Sequence, residues 1–201
     1  MRFAVFTTVL AAVATAYADC SALGPGSNSS VSGTFNLAAF NPVTNTTSAL
    51  HVLNVVTIPR TTYHVLGTPS SPSFGWLGLT MSGGTITTIS PSPYTAAAYS
   101  LGNLAPNTGY PPNPPGPWPT FANTGTATTA FCSVPNPLGG NAVLAFNGFT
   151  DQFSLCTSYL SQTVPSIQAL LFNASRSAYG DGYDTYNGAS CVNVTVLIVP
   201  A

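Results

Sequence analysis

Residues 142–156 read AVLAFNGFTDQFSLC: two apolar runs meet across Asn147-Gly148, and the second ends on Cys156. An Asn-Gly pair between apolar segments is the strongest short-range hairpin signal, because both residues tolerate the positive φ of a type I′ turn. A two-residue turn would pair Phe146 with Phe149 and Leu144 with Asp151, and would place Phe149, Asp151, Phe153 and Leu155 on one face. A carboxylate in that apolar row needs a partner, and Arg60 or Arg176 would have to supply it. A wider turn over residues 147–151 would instead let Asp151 bond loop amides.

The same grammar extends outward in both directions. From Thr34 onward, short runs rich in Val, Ile, Leu, Thr and aromatic residues alternate with Gly, Pro, Asn and Ser. Candidate strands are 34–40, 49–58, 61–66, 74–80, 85–89, 94–101, 120–132, 141–146, 152–156, 167–173 and 191–199. No window shows a period of 3.6, so the pattern predicts an all-β chain, a single-domain antiparallel β-sandwich or a jelly-roll-like fold. In the last run Val192, Val194, Val196 and Ile198 are expected to face inward, and Asn193, Thr195 and Leu197 outward. Pro59-Arg60 should turn the second run back onto the third, pairing residues whose numbers add to about 119.

The N-terminus reads MRFAVFTTVLAAVATAYADC, with Arg2 before an apolar stretch and Ala16-Tyr17-Ala18 as an A-x-A cleavage site. This is the pattern of a secretory signal peptide over residues 1–18. Residues 19–33 follow as a Ser/Gly/Asn-rich flexible segment, and residues 34–201 form the domain. The apolar C-terminal run is too short for a lipid-anchor signal, which takes a tail of roughly 10–20 residues behind a polar spacer.

Charge is almost absent: 3 Lys+Arg against 4 Asp+Glu, with no lysine and no glutamate. Arginines this few cannot form the basic surface that nucleic acid or an anionic membrane requires, so both are excluded as partners. The mean hydropathy is positive at +0.30, which is unlike a disordered chain. Ser, Thr, Asn and Gly must wet the surface, with help from sugar. Sequons begin at Asn28, Asn45, Asn173 and Asn193, each without proline at the middle position.

The 4 cysteines, Cys20, Cys132, Cys156 and Cys191, lie beyond the signal, and an even count in an oxidising compartment points to two disulfides. Three connectivities are open. A zinc site does not fit, since no C-x-x-C pair exists and the histidines lie far from the cysteines. Residues 105–119, APNTGYPPNPPGPWP, are too proline-dense to join a ladder and read as a surface excursion in polyproline II form within one domain.

Catalytic signatures are scarce. His51 and His64 fall in neighbouring runs, but the expected register keeps them apart, and no metal or other cofactor is implied. There is no G-x-S-x-G elbow. Without glutamate, a glycosidase pair would have to come from Asp151, Asp181 and Asp184. The loop Tyr179-Gly-Asp181-Gly-Tyr183-Asp184-Thr-Tyr186 could hold a cation or stack on a sugar ring, although its spacing is not that of an EF-hand. Trp76 and Trp118 are further stacking candidates.

Gly148-Phe149-Thr150-Asp151, the Phe153-Ser-Leu-Cys156 run, Phe172-Asn173 and Cys191-Val-x-Val resemble segments of a group of small secreted basidiomycete proteins of no assigned function. More distantly, Phe35-x-Leu-x-Ala and Leu50-His51-Val-Leu look like the opening of the phialide-type fungal cell-wall proteins. The resemblance covers about half the chain and leaves out residues 105–119. It implies a β-sandwich-like, secreted or wall-associated protein, and carries over no catalytic residue. It also implies pairing of Cys156 with Cys191, which border strands expected in one sheet, leaving Cys20 for Cys132. The expectation is a secreted, glycosylated, non-enzymatic wall or surface protein, with cell-wall polysaccharide as the partner to test. A carbohydrate-binding module is the alternative, and a hydrolase using Asp151 or Asp184 ranks below it.

Overall fold

A computed structural model describes residues 19–56, 62–68, 75–89, 99–103, 119–122, 129–158, 167–174 and 186–201. The β-branched and aromatic runs form strands β1 (Val31–Asn41), β2 (Thr46–Val56), β3 (Thr62–Thr68), β4 (Gly75–Trp76), β5 (Leu79–Ser82), β6 (Thr85–Thr88) and β7 (Tyr99–Asn103). They continue as β8 (Pro119–Ala122), β9 (Phe131–Val134), β10 (Ala142–Phe146), β11 (Phe153–Ser158), β12 (Ile167–Phe172), β13 (Val192–Asn193) and β14 (Thr195–Pro200). Two 3-10 turns, Cys20–Leu23 and Gly188–Ser190, are the only helical elements among the described residues. The protein is all-β, and its ladders are antiparallel, as the alternation required.

The strands belong to one 14-stranded sheet in the order β13-β11-β12-β3-β8-β7-β6-β5-β1-β14-β10-β9, with β2 and β4 off that path. Two sheets packed face to face would have been the simplest sandwich. Here β2 prevents their separation: its first half pairs with β1, from Leu50 opposite Leu37 to Thr46 opposite Asn41, and its second half pairs with β3, from His51 opposite Gly67 to Val56 opposite Thr62. One strand therefore carries hydrogen bonds from one side of the molecule to the other. The sheet stays open at β13 and β9 and folds over so that its two ends share a core.

That core gathers Phe35, Leu37 and Ala39 of β1, Leu50 and Val52 of β2, Leu144 and Phe146 of β10, Phe153 and Leu155 of β11, and Leu170 and Phe172 of β12. Phe146 and Phe172 come from opposite ends of the strand order, yet their rings meet edge-on at 4.8 Å. Phe153 meets Phe172 in the same way at 5.3 Å. Each such side chain stabilises the fold by about 1.5–3 kcal/mol through burial, and edge-on ring pairs add about 0.5–1.5 kcal/mol.

Two smaller clusters lie on other faces. One joins Cys20, Cys132 and Ala145, with Leu23 and Val134 packed against it. The other joins Leu53, Val65, Cys156, Ile167, Ala169, Leu171 and Tyr186, with Ala174 and Cys191 at its margin. Each holds one disulfide: Cys20–Cys132, with Cα atoms 5.7 Å apart, and Cys156–Cys191, with Cα atoms 4.1 Å apart. The connectivity is the one the resemblance implied.

Several elements differ from the sequence reading. The run 191–199 is two strands: β13 pairs with β11, β14 pairs with β1, and Val194 between them donates its N–H to Phe153. Val192 is consequently exposed, while Val194, Val196 and Ile198 are buried as expected. The run 74–80 divides into β4 and β5 at Gly78, whose φ of 102° breaks the ladder. The run 120–132 likewise divides into β8 and β9.

Residues 19–33 are also better fastened than their composition suggested. Asn28 and Ser133 exchange backbone hydrogen bonds of 2.9 and 2.8 Å, Cys20 is tied to β9, and β1 already begins at Val31. The β2–β3 register adds to 118 rather than about 119, a shift of one position. Most of the proline-dense stretch, residues 105–118, lies outside the described residues, but Asn103 pairs with Pro119, so it joins two adjacent antiparallel strands. Residues 1–18 also lie outside the description.

Candidate functional site

The decisive turn forms as read. Phe146 and Phe149 exchange backbone hydrogen bonds of 2.9 and 3.0 Å, with Asn147 at φ 50° and Gly148 at φ 84°. The hairpin stops there. Beyond Phe149 the chain bends through Thr150 and Asp151, the carbonyl of Gln152 accepts from the Asn173 N–H at 2.8 Å, and β11 pairs with β12 instead of β10. The edge of β10 along which the hairpin would have continued is taken by β14 at Ala142 and Val143, while Phe153 packs on Phe172. Leu144 does not pair with Asp151, which is exposed; on the other edge of β10 it faces Ser133. The row containing a buried carboxylate does not form, and neither does the wider turn over residues 147–151, because the turn closes at Phe149 and Asp151 lies exposed in the bend beyond it.

His51 and His64 lie in paired strands, but His51 faces Gly67 and His64 faces Asn54. His51 is half-buried, and its Nδ1 is enclosed without a hydrogen-bond partner. Ser27 Oγ and Thr88 Oγ1 share that condition among the described residues. No three of His, Cys, Asp and Glu converge as a metal site among the described residues.

Tyr186 corrects the stacking proposal. It is 7% exposed and belongs to the cluster around Cys156, so its ring seals a satellite core and offers no platform to a sugar. Trp118, Asp181, Tyr183 and Asp184 lie outside the described residues. The backbone of Trp76 pairs with Val52 as part of β4.

The sequon asparagines share a property. Asn28, Asn45, Asn173 and Asn193 are all exposed. Asn45 and Asn173 occupy turns at φ 54° and 53°, the left-handed region that asparagine tolerates better than most residues. Asn28 and Asn193 hold fixed side-chain geometry instead. Asn28 Oδ1 accepts from the Ser30 N–H at 2.9 Å, and Asn193 Oδ1 accepts from Ser154 Oγ at 3.2 Å. Both bonds use the oxygen and not Nδ2, the atom a glycan would join.

A shallow depression of about 660 Å³ lies against β1 and β5, lined by Asn28, Ser30, Ser32, Thr34, Thr80 and Ser82 together with Val31, Gly33 and Met81. Its walls offer hydroxyl groups and no acid–base pair. Among the described residues the clear electrostatic perturbation is at Asp19, which is fully exposed: the Ser21 hydroxyl at 2.6 Å, then the Ser21 N–H at 3.1 Å, hold its carboxyl below the ordinary range. These bonds cap the 3-10 turn that carries Cys20.

Among known proteins, no family model, no curated protein and no solved structure matches this chain.

Proposed function

We propose that the chain is a secreted, N-glycosylated, disulfide-stabilised structural protein of a fungal cell wall or cell surface, with no catalytic role of its own. The observation that carries this reading is the separation of two chemistries. Every cysteine is paired inside or beside a buried cluster, and every sequon asparagine is exposed at a turn or a sheet edge. Disulfides of this kind persist in oxidising compartments. Exposed amide groups on a surface almost free of charge are where sugars would do most for solubility.

The test is to express the full chain in a glycosylating fungal host and follow it through fractionation of medium and wall. Recovery from the medium or the wall with N-glycans attached supports the reading. Retention in the cytosol as an unmodified, reduced chain rejects it. The depression against β1 and β5 favours a second reading, a carbohydrate-binding protein, because it sets Ser and Thr hydroxyls beside the apolar Val31 and Met81, and a sugar presents both hydrogen-bonding groups and apolar faces. Retention of the mature protein on chitin or β-glucan, weakened by Thr80→Val, would support it. Passage through both matrices without delay would reject it.

A further inference from the structure

The depression against β1 and β5 arises where the two strands fall out of step. Val31 pairs with Met81 and Phe35 with Leu79, so β1 takes four steps where β5 takes two, and Gly33 in that interval has φ 79°. Ser32, Gly33 and Thr34 lie within the mismatch, and all three line the hollow. Its base is apolar: Met81 belongs to the central core, and Val31 packs against that core. Its rim carries the hydroxyls of the exposed Ser30, Ser32, Thr34 and Ser82. A volume of about 660 Å³ lies within the roughly 300–1,000 Å³ typical of small-molecule clefts.

Asn28 is at once part of this lining and the first residue of a sequon. Its surroundings are fastened on three sides. Asn28 exchanges backbone hydrogen bonds with Ser133, and its Oδ1 accepts from the Ser30 N–H at 2.9 Å. The next two residues are tied to the turn between β5 and β6, with the Ser29 carbonyl accepting from the Gly84 N–H and Ser30 Oγ from the Gly83 N–H at 3.1 Å. A sugar joined to Nδ2 of Asn28 therefore starts in the wall of the hollow from a fixed root. A shallow hollow holds free sugar weakly, but a tethered one acts at an effective concentration in the millimolar range. The first sugar of an N-glycan brings an N-acetyl methyl and a C–H ring face for Val31 and Met81, and hydroxyls for the rim.

We infer that the hollow between β1 and β5 is the seat of the protein's own sugar: the N-glycan on Asn28 folds back into it and packs its first residue on Val31 and Met81. The inference rests on the glycosylated reading above, and names the occupant of the hollow as a sugar carried by the chain itself. Asn45, Asn173 and Asn193 do not line the hollow, so glycans there have no such seat.

The experiment uses the full-length protein secreted from a glycosylating host. Glycopeptide mass spectrometry reports occupancy of the four sequons. Peptide:N-glycosidase is then applied to the native protein and to its proteolytic glycopeptides, and the ratio of release rates is read site by site. With residues 1–18 removed, Met81 is the sole methionine, so 13C-methyl methionine labelling gives one resonance at the base of the hollow. The expected result is release from native Asn28 at least about tenfold slower than from its glycopeptide, as for a sugar seated about nine-tenths of the time. Nuclear Overhauser contacts should join its N-acetyl methyl to the Met81 methyl. Ser32→Phe, at an exposed rim position, fills the hollow; it should melt within a few degrees of the parent, abolish the contacts and restore the glycopeptide rate. Should that variant fail to fold, the contacts in the parent decide. An Asn28 glycan without contacts to Met81 overturns the inference, whatever its release rate. Slow release that persists in folded Ser32→Phe also overturns it, since the protein would then shield the linkage without seating the sugar. A bare Asn28 beside sugar at Asn45, Asn173 or Asn193 overturns the inference and leaves the glycoprotein reading intact, whereas sugar at none of the four overturns both.

Discussion

The two disulfide-bearing satellite clusters follow one plan and seal their edges differently. Around Cys20–Cys132, the N-terminal segment lies along β9 and supplies backbone partners, so the edge is closed by chain. Around Cys156–Cys191, Tyr186 and the 3-10 turn Gly188–Ser190 cover the face of the cluster, but β13 ends the sheet after two residues. One side is protected by a covalently held strap, the other by brevity. The difference teaches that the disulfide closing the longer loop carries more folding stability than the one closing the shorter loop.

Removing the disulfides gives the largest expected contrast. Their sequence separations are 112 and 35 residues. In the chain-entropy account these loops are worth about 5 and about 4 kcal/mol. A Cys20→Ala/Cys132→Ala variant should therefore unfold at lower denaturant than Cys156→Ala/Cys191→Ala, and the opposite order would break the comparison. Leu170→Ala, in the central core shared by both sides, should cost about 2–5 kcal/mol by denaturant titration, whichever disulfide remains.

Gly148→Ala probes the turn between the two sides. A Cβ there would meet nothing within 4 Å, so its cost reads backbone strain alone, about 1–2 kcal/mol. His51→Phe removes the enclosed Nδ1 that lacks a partner and should leave the melting temperature unchanged or slightly raised. A fall of several degrees would show that the imidazole has a structural bond.

The smallest effect is that of pH. Asp19 has its carboxyl held below its unfolded value by Ser21, so its contribution is present above about pH 4 and fades as pH falls through the folded value. Because Asp19 is fully exposed and the chain has only 4 acidic residues, melting between pH 3 and 7 should shift by a few degrees at most. A shift of tens of degrees would reveal a titrating group inside one of the clusters.

How far the sequence could be read follows from the range of each interaction. Asn147-Gly148 announced its own turn because type I′ geometry depends on those two residues alone. Val194, Val196 and Ile198 announced their burial because alternation is local. Leaving β10 after a single bridge could not be read in this way, since β14 takes that edge of β10 while Phe153 finds Phe172. The split at Val194 depends on β11 and β1 competing for adjacent residues. Tyr186 looked like a stacking ring beside its polar neighbours, and only Leu53, Ile167 and Leu171 across the sheet make it core. The sequons were plain in the sequence, but their placement at sheet ends and turns is a property of strand order.

Peptide mapping of the secreted protein under non-reducing conditions tests the central claim most directly, because one digest reports both halves of it. The account predicts Cys20 linked to Cys132, Cys156 linked to Cys191, and N-glycans on Asn28 and Asn193. Free thiols together with unmodified asparagines at those positions, in protein that remains folded and monomeric, would contradict it.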